Sequence, residues 1–137
     1  MDVLHLELPW PPSGNHRNGK RNNRYYNTKA YRTFIDGVAL CVLEQAKDWE
    51  KTKDRVEMDV YFAPPDRRKR DADNFLKTLM DAITKSGGVW EDDYNVRPIS
   101  MDWCPPHPGG KVDVYITAKP WRTHTDTKGK RPKVTKF

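Results

Sequence analysis

Apolar residues recur along this chain with two different periods, and the order of these periods restricts the possible folds more than any other feature. Residues 3–8, 55–63 and 112–116 alternate between apolar and polar side chains, which indicates half-buried β-strands. Residues 29–49 and 73–86 instead repeat their apolar positions at helical spacing, which predicts two amphipathic α-helices. Each element then has one apolar side to cover, so helices are expected to pack against a sheet.

The segments between these periods define where the elements begin and end. Residues 9–27 are rich in Pro, Gly and Asn, so we expect a long loop that is either functional or disordered. Thr28 is a suitable N-cap for the first helix, and a Gly-Gly pair ends the second. A further strand is expected over residues 94–103, where Pro98 favours an edge or a bulge. The predicted order is β-α-β-α-β-β, a small α+β domain with two helices packed against one mixed sheet.

Length and composition indicate a single domain. The 137 residues suffice for one core, which we assign to residues 1–118, with residues 119–137 as a basic, flexible C-terminal tail. The chain has no apolar run long enough to span a bilayer, and its N-terminus lacks the charged and apolar regions of a signal peptide. We therefore expect a cytoplasmic protein with no membrane contact. Cys41 and Cys104 lack the spacing of metal ligands, and we expect free thiols.

The formal net charge of +6 is unevenly distributed. Residues 119–137 contain seven Lys or Arg and one acid, whereas residues 1–118 contain 18 bases and 18 acids. Residues 15–32 nevertheless carry six Lys or Arg and no acid. Such segregation suits a polyanion that is held by particular loops and a tail, so it favours a nucleic acid as partner.

The stretch PPDRRKRDADNFLKTLMDAITKSGGVWEDD at residues 64–93 brings a basic run against carboxylates. Arg67–Arg70 lead directly into Asp71 and Asp73, at the expected start of the second helix. Aspartates there commonly cap free N–H groups, at about 1 kcal/mol each. Lys77 follows Asp73 by four residues, where a weak surface ion pair is the ordinary expectation. A lysine beside two carboxylates can equally steady a charged phosphate or orient a water.

Asp92 and Asp93 supply two more carboxylates after the second helix. The helix rises about 1.5 Å per residue, and extended residues after the Gly-Gly turn recover much of that length. One of these aspartates is expected to return beside Asp71 and Asp73, or to reach them from a second subunit. Gathered carboxylates suit Mg²⁺, with Mn²⁺ as a possible substitute, and these cations also contact phosphates. Acids, metal and bases together predict hydrolysis of a phosphodiester.

At these residues the sequence resembles the RusA family of Holliday-junction resolvases, small endodeoxyribonucleases often carried by phages and prophages. The likeness spans most of residues 3–118. It rests, in this order, on LPWPPSGN, PPDRRKRDADN, Lys77, DAITKSG and the run W-E-D-D. The resemblance implies a homodimer that binds four-way DNA junctions and cuts two opposed strands with Mg²⁺, without an organic cofactor. The fold that it implies agrees with the order of elements predicted above.

The resemblance also assigns roles to single residues. The family's metal-binding and catalytic aspartates correspond to Asp71, Asp73 and Asp93. The Gly-Gly pair leaves Asp92 open as the third ligand instead of Asp93. The family's catalytic lysine corresponds to Lys77, and two of its DNA-contacting positions correspond to Arg68 and Arg70.

Further DNA contacts are expected from the clustered cations. These are the four residues before the acids and four residues of the long loop: Arg67, Arg68, Lys69, Arg70, Arg17, Lys20, Arg21 and Arg24. Tyr25 and Tyr26 are expected either to pack under the loop or to stack on unpaired bases at the crossover.

Two other function classes compete with a nuclease. A non-catalytic nucleic-acid-binding protein would use the same acids only for capping and pairing. A D-x-D glycosyltransferase would hold Mn²⁺ on a nucleotide sugar, but the chain is short and has no recognisable nucleotide-binding α/β unit. The four histidines are scattered, without the pairing that a zinc site or a histidine-based nuclease needs.

Overall fold

The computed structural model describes residues 3–13, 18–21 and 24–119. The strands are β1 (Val3–Leu8), β2 (Asn18–Arg21), β3 (Arg24–Asn27), β4 (Arg55–Ala63), β5 (Val96–Trp103) and β6 (Lys111–Lys119). The helices are α1 (Lys29–Gln45) and α2 (Ala72–Ser86), and a short 3₁₀ turn covers Asp93–Asn95. The predicted tail lies outside the described residues from position 120 onward, so its flexibility stays a prediction.

Four of the strands form a mixed sheet in the order β1-β6-β4-β5. β6 is antiparallel to both β1 and β4, whereas β5 runs parallel to β4 at an edge. The β4–β5 register shifts between Val56 and Met58, so the edge position and the irregularity expected from Pro98 are both present. β2 and β3 form a separate antiparallel hairpin. The α+β prediction is confirmed, and the hairpin is an element that the composition of residues 9–27 did not reveal.

The core lies between one face of the sheet and the two helices. Strand β1 alternates strictly, with Leu4, Leu6 and Leu8 buried and the residues between them exposed. The other buried side chains of this layer include Val56, Met58, Val60, Phe62, Val114, Ile116, Phe34, Val38, Leu79 and Ile83. Each such side chain contributes about 1.5–3 kcal/mol through burial, so this layer holds both helices in place.

Helix α1 begins as predicted and ends earlier than predicted. Its N-cap, Thr28, accepts a hydrogen bond from the backbone N–H of Tyr31 at 3.3 Å. The helix ends at Gln45 instead of residue 49. Trp49 continues the apolar spacing of the helix but lies beyond its end. Its indole Nε1 donates to the carbonyl oxygen of Val89 at 3.0 Å. None of the described helices is long and apolar enough to cross a bilayer.

The end of α1 is tied to the outer edge of β1 by one side chain. The Gln45 Oε1 atom accepts from the backbone N–H of Glu7 at 2.7 Å, and its Nε2 atom donates to the Glu7 carbonyl oxygen at 2.9 Å. Both outward-facing backbone groups of Glu7 are thereby satisfied within the protomer.

Helix α2 is the crossover between the parallel strands β4 and β5. In such a unit the helix runs back across the sheet, from the end of one strand to the start of the next. Gly87, in the left-handed conformation with φ 77°, terminates α2. Residues just after β4 and residues just before β5 therefore lie at opposite ends of α2.

Candidate functional site

The basic run before α2 is folded around Asp66. Its Oδ1 atom accepts from the backbone N–H of Arg68 at 3.0 Å and from Nη2 of Arg70 at 2.7 Å. Its Oδ2 atom accepts from Nε of Arg68 at 3.2 Å. These bonds, the one from the Arg68 backbone first, hold the pKa of Asp66 below its ordinary value. Asp66 therefore organises the loop that carries the cations.

The four cations of this run differ in how far they face solvent. The Arg70 side chain is only 13% exposed, and its Nη1 atom donates to the carbonyl oxygens of Asp66 and Arg68 at 3.1 Å each. The Arg68 side chain is 83% exposed. Arg67 and Lys69 are exposed as well. Three of the four predicted DNA-binding cations thus face outward, while Arg70 shapes the loop.

Trp10 joins the PWPP segment to the start of α2. Its ring lies 5.3 Å from the ring of Phe75, which belongs to the first turn and a half of the helix. The guanidinium of Arg70 lies 5.6 Å from the Trp10 ring centroid. The two quoted motifs, LPWPP and PPDRRKRDADN, therefore meet in one packed unit that positions the N-terminal end of α2.

Asp71 and Asp73 make neither a side-chain cap nor an ion pair with Lys77 among the described residues, although Asp73 lies in the first turn of α2. Asp71 occupies the N-cap position with an extended backbone, yet its side chain makes no capping hydrogen bond. Asp73 is exposed, and within the described residues it forms no ion pair with Lys77. The capping and ion-pairing explanations are thus not realised, and both carboxylates and the ammonium remain available to a ligand.

Asp93 lies at the other end of α2, half-buried against the helix. Its Oδ1 atom accepts a short hydrogen bond from the Thr84 hydroxyl, and its carboxyl is also hydrogen-bonded to that of Asp81. Burial, followed by the hydrogen bond and the charge of Asp81, raises the pKa of Asp93 above its ordinary value, although the Thr84 bond opposes this shift.

Asp92 and Asp93 have different surroundings. Asp92 caps the 3₁₀ turn: its side chain accepts from the backbone N–H of Tyr94 at 3.5 Å, and its own N–H donates to Oδ1 of Asn95 at 2.9 Å. Asn95 is buried and donates to the carbonyl oxygen of Lys53 at 2.7 Å. Asp92 is therefore engaged in the turn, whereas the carboxylate of Asp93 faces α2.

One protomer does not bring Asp93 together with Asp71 and Asp73. Asp81, the helix neighbour of Asp93, follows Asp73 by eight residues, which is about 12 Å along the axis. The expected return along an extended segment does not occur, because β5 is parallel to β4 and begins at the far end of α2. The second expectation, that this aspartate acts from another subunit, stays open.

Another group of possible ligands lies on the open face of the sheet. Across residues 3–13, 18–21 and 24–119, the one set of at least three His, Cys, Asp or Glu ligand atoms within 4.8 Å of one another is His5, Glu7 and Asp113. His5 Nε2 lies 2.9 Å from Asp113, Lys111 Nζ lies 3.5 Å from the same carboxylate, and the His5 ring stacks on Tyr115 at 4.4 Å. The Asp113 carboxylate already contacts the His5 imidazole and the Lys111 ammonium, so this set is a surface polar cluster.

The predicted cations of the long loop are described only in part. Lys20, Arg21 and Arg24 lie on the β2–β3 hairpin, where the backbone register pairs Lys20 with Tyr25 and Arg21 with Arg24. Arg17 lies outside the described residues, as do the side chains of the hairpin. DNA contacts from these cations and stacking by the tyrosines stay predictions.

Sequence reasoning missed the side chains that surround Asp93. Asp81 and Thr84 are spaced by three residues on α2, and Trp90 is fully buried beneath them. The spacing of Asp81 and Thr84 put them on one side of the helix, but only the parallel placement of β5 brings Asp93 to that side. Trp90 belongs to the core, and its indole N–H donates to the Thr84 hydroxyl.

Comparison with known proteins finds similarity over most of the chain, including both ends of α2. The model of the family described as Endodeoxyribonuclease RusA matches residues 9–119. A crossover junction endodeoxyribonuclease from Enterobacteria phage 82 is 36% identical over 128 residues, covering 85% of this chain and 96% of the relative. Crossover junction endodeoxyribonucleases from Escherichia coli strain K12 and Shigella sonnei strain Ss046 are each 34% identical over the same length and with the same coverage.

Proposed function

Since the chain belongs to the RusA family of endodeoxyribonucleases, we propose that it is a structure-selective, Mg²⁺-dependent endodeoxyribonuclease that resolves four-way DNA junctions as a homodimer. The observation that carries this proposal is the N-terminal end of α2. There, two aspartates keep their carboxylates out of the helix cap and out of an ion pair with Lys77, directly beside an exposed basic loop. Uncompensated carboxylates next to phosphate-binding cations suit a divalent ion shared with a phosphodiester.

Asp71, Asp73 and Asp93 would hold Mg²⁺, for which Mn²⁺ can substitute, because both cations prefer hard carboxylate oxygens. When bound, the cation activates a water for attack on phosphorus and neutralises charge on the departing oxygen. Lys77 lies one turn after Asp73 and is exposed, so its ammonium compensates the negative charge that develops on the phosphate. Asp93, whose pKa is raised by burial and by Asp81, gains most from a neighbouring positive charge.

A second copy of the chain completes the site in this proposal. Asp93 lies too far along α2 to meet Asp71 and Asp73 of its own protomer, so it acts on those of its partner. Support comes from exposed apolar side chains along the β5 edge: Tyr94 just before the strand, Ile99 within it and Trp103 at its far end are 62%, 37% and 40% exposed. A two-fold pair has two equivalent sites, and two opposed strands of a junction are then cut symmetrically.

In this proposal, cations of the basic loop, the hairpin and the tail all contribute to DNA binding. Arg67, Arg68 and Lys69 contact phosphates next to the cut, while Arg70 fixes the loop and adds its charge. The hairpin cations contact the junction arms, and residues 119–137 add affinity that is independent of sequence. Such a protein works on DNA in the cytoplasm.

The direct test is incubation of the full chain with a synthetic mobile four-way junction, with and without Mg²⁺, beside linear duplex and fork controls. We expect paired incisions in the junction alone, and only with the cation. Equal cutting of linear duplex, or undiminished cutting in excess EDTA, contradicts the proposal. Tight junction binding without cleavage under any condition supports a non-catalytic nucleic-acid-binding protein instead.

A further inference from the structure

We propose that Thr84, oriented by the buried indole of Trp90, is the positioning residue that aims the Asp93 carboxylate at the divalent cation. The inference rests on the proposed function, since it assumes that Asp93 is a ligand. It concerns two side chains for which neither the quoted motifs nor the relatives' names indicate a role. Its basis is a chain of hydrogen bonds from the core to the surface.

The direction of each hydrogen bond in this chain follows from chemistry. The Trp90 Nε1 atom lies 2.6 Å from the Thr84 hydroxyl oxygen. An indole N–H only donates, so the hydroxyl oxygen is the acceptor there. A hydroxyl has a single proton, which is then directed at Oδ1 of Asp93, an acceptor. Trp90 thus fixes the rotation of the Thr84 hydroxyl, and the hydroxyl fixes one oxygen of Asp93.

The start of this chain is rigid. Trp90 is fully buried. The backbone on both sides of it is bonded to Thr52, whose N–H donates to the Val89 carbonyl oxygen at 3.2 Å and whose carbonyl oxygen accepts from Glu91 at 3.1 Å. Thr84 itself belongs to the last turn of α2. A hydroxyl held between a helix and a fixed indole has little freedom to move.

Asp93 needs such an anchor because of its other neighbour. Asp81 precedes Thr84 by three residues on α2, and its carboxyl meets that of Asp93. When both carboxylates are ionised they repel each other, and Asp93 would turn away from the helix. The bond from Thr84 holds one oxygen of Asp93 toward α2 against this repulsion. Outer partners of this kind orient metal-binding carboxylates in many sites, and their loss costs about 10- to 100-fold in metal affinity or activity.

The decisive comparison is between Thr84→Val, which removes the hydroxyl and keeps the branched shape, and Thr84→Ser, which keeps the hydroxyl. Mn²⁺ affinity of the full-length protein is measured by electron paramagnetic resonance of the free ion, and the Mg²⁺ concentration for half-maximal junction cleavage is measured in parallel. We expect Thr84→Val to weaken both by about 10- to 100-fold. Thr84→Ser should restore most of this loss, and junction affinity in EDTA should stay unchanged.

Thr78→Val is the matched control. Thr78 is another threonine of α2, fully buried where Thr84 is half-buried, and its hydroxyl donates to the carbonyl oxygen of Asn74 at 3.3 Å and not to a carboxylate. Its Mn²⁺ affinity should equal that of the wild type. If Thr84→Val fails to fold by thermal denaturation, Trp90→Phe removes the orienting N–H and keeps an aromatic ring, and the same weakening is expected in smaller measure.

Asp93→Asn separates failure of this inference from failure of the proposed function. If Asp93→Asn loses Mn²⁺ binding and cleavage while Thr84→Val and Trp90→Phe behave as the wild type, Thr84 has no positioning role and the site assignment stands. If Asp93→Asn binds Mn²⁺ and cuts junctions at wild-type levels, Asp93 is no ligand and both proposals are overturned.

Discussion

The two ends of α2 hold carboxylates in opposite states. At the N-terminal end, Asp71 and Asp73 are exposed, and their carboxylates accept no hydrogen bond among the described residues. At the C-terminal end, Asp93 is half-buried and held by the Thr84 hydroxyl. The carboxylates of Asp71 and Asp73 can adjust their orientation to a ligand, whereas the orientation of the Asp93 carboxylate is fixed by its hydrogen bond to Thr84. Neither end of α2 alone holds all three aspartates of the proposed metal site.

This separation has a topological cause. The crossover between the parallel strands β4 and β5 places the start of α2 at the C-terminal end of β4 and the end of α2 at the N-terminal end of β5. The 15 residues of α2 therefore separate Asp71 and Asp73 from Asp93 within one protomer. In the proposed homodimer, catalysis depends on self-association, because a second copy supplies the missing carboxylate.

The largest expected effect comes from mixing two inactive chains. Asp73→Asn and Asp93→Asn each spoil both sites of a homodimer, so each variant alone should not cut. Co-expression with different tags produces mixed dimers in which one site keeps both Asp73 and Asp93. Random pairing then restores about a quarter of the sites, and the mixed dimers should nick one strand per junction. A mixture that stays inactive would place all three ligands in one protomer.

Asp73→Asn alone separates chemistry from binding at the exposed end. We expect junction cleavage to fall by at least about 100-fold, since a ligand should matter no less than an outer partner. Junction affinity in EDTA should be unchanged or tighter, because a negative charge beside phosphates is lost. Gel-shift and cleavage assays on one preparation measure both.

Asp59→Asn is the control for that substitution. Asp59 is exposed on the open face of the sheet, where it accepts from the Ser100 hydroxyl. Its replacement should leave cleavage near the wild-type rate. Wild-type cleavage by Asp73→Asn would remove the exposed end from the mechanism.

Substitutions in the basic loop should change how strongly junction affinity depends on salt concentration. Arg67→Ala removes one exposed cation, so the slope of log affinity against log salt should decrease by about one. The single-turnover cleavage rate at saturating protein should change little, because the contact is made before and during the reaction alike. Lys47→Ala, an exposed cation beyond the end of α1, should leave the slope unchanged. An equal change in both variants would mean that overall charge, not the loop, governs binding.

The smallest expected effect is the change in protein stability when Asp93, at the C-terminal end of α2, is replaced. Burial and Asp81 raise the folded-state pKa of Asp93, so protonation favours the fold. That contribution is present below the unfolded-state pKa and is lost as the pH rises through the folded-state value. In EDTA at neutral pH, Asp93→Asn should therefore melt at a higher temperature than the wild type, and the difference should vanish at acid pH. A variant that melts lower at neutral pH would show that the Thr84 bond outweighs the repulsion.

Most of the fold followed from periodicity in the sequence. β1 and β4 match their predicted bounds, because each alternates along its whole length over one buried face. The β2–β3 hairpin was missed, since NGKR and RYYN have no apolar alternation to signal it. α1 was predicted too long because Trp49 continues its period from a turn.

The candidate site was predicted from residue types, and its geometry was not. Asp71, Asp73 and Lys77 could be proposed because acids, bases and spacing are local properties of the chain. The position of Asp93 depends on whether β5 runs parallel or antiparallel to β4, and local patterns do not decide strand direction. Thr84 lies in the quoted motif DAITKSG, but local sequence assigns its hydroxyl no role, because its partners Trp90 and Asp93 lie beyond the end of the helix.

The two hydrogen bonds between the Gln45 side chain and the Glu7 backbone limit how copies of the chain can associate. Both outward backbone groups of Glu7 are occupied, so no added strand can run along the full length of β1. Within the described residues, β5 forms the other edge of the four-stranded sheet, and Pro98 lacks a backbone donor there. If the proposed homodimer pairs through this one edge about a two-fold axis, no second edge remains open, and association stops at two chains.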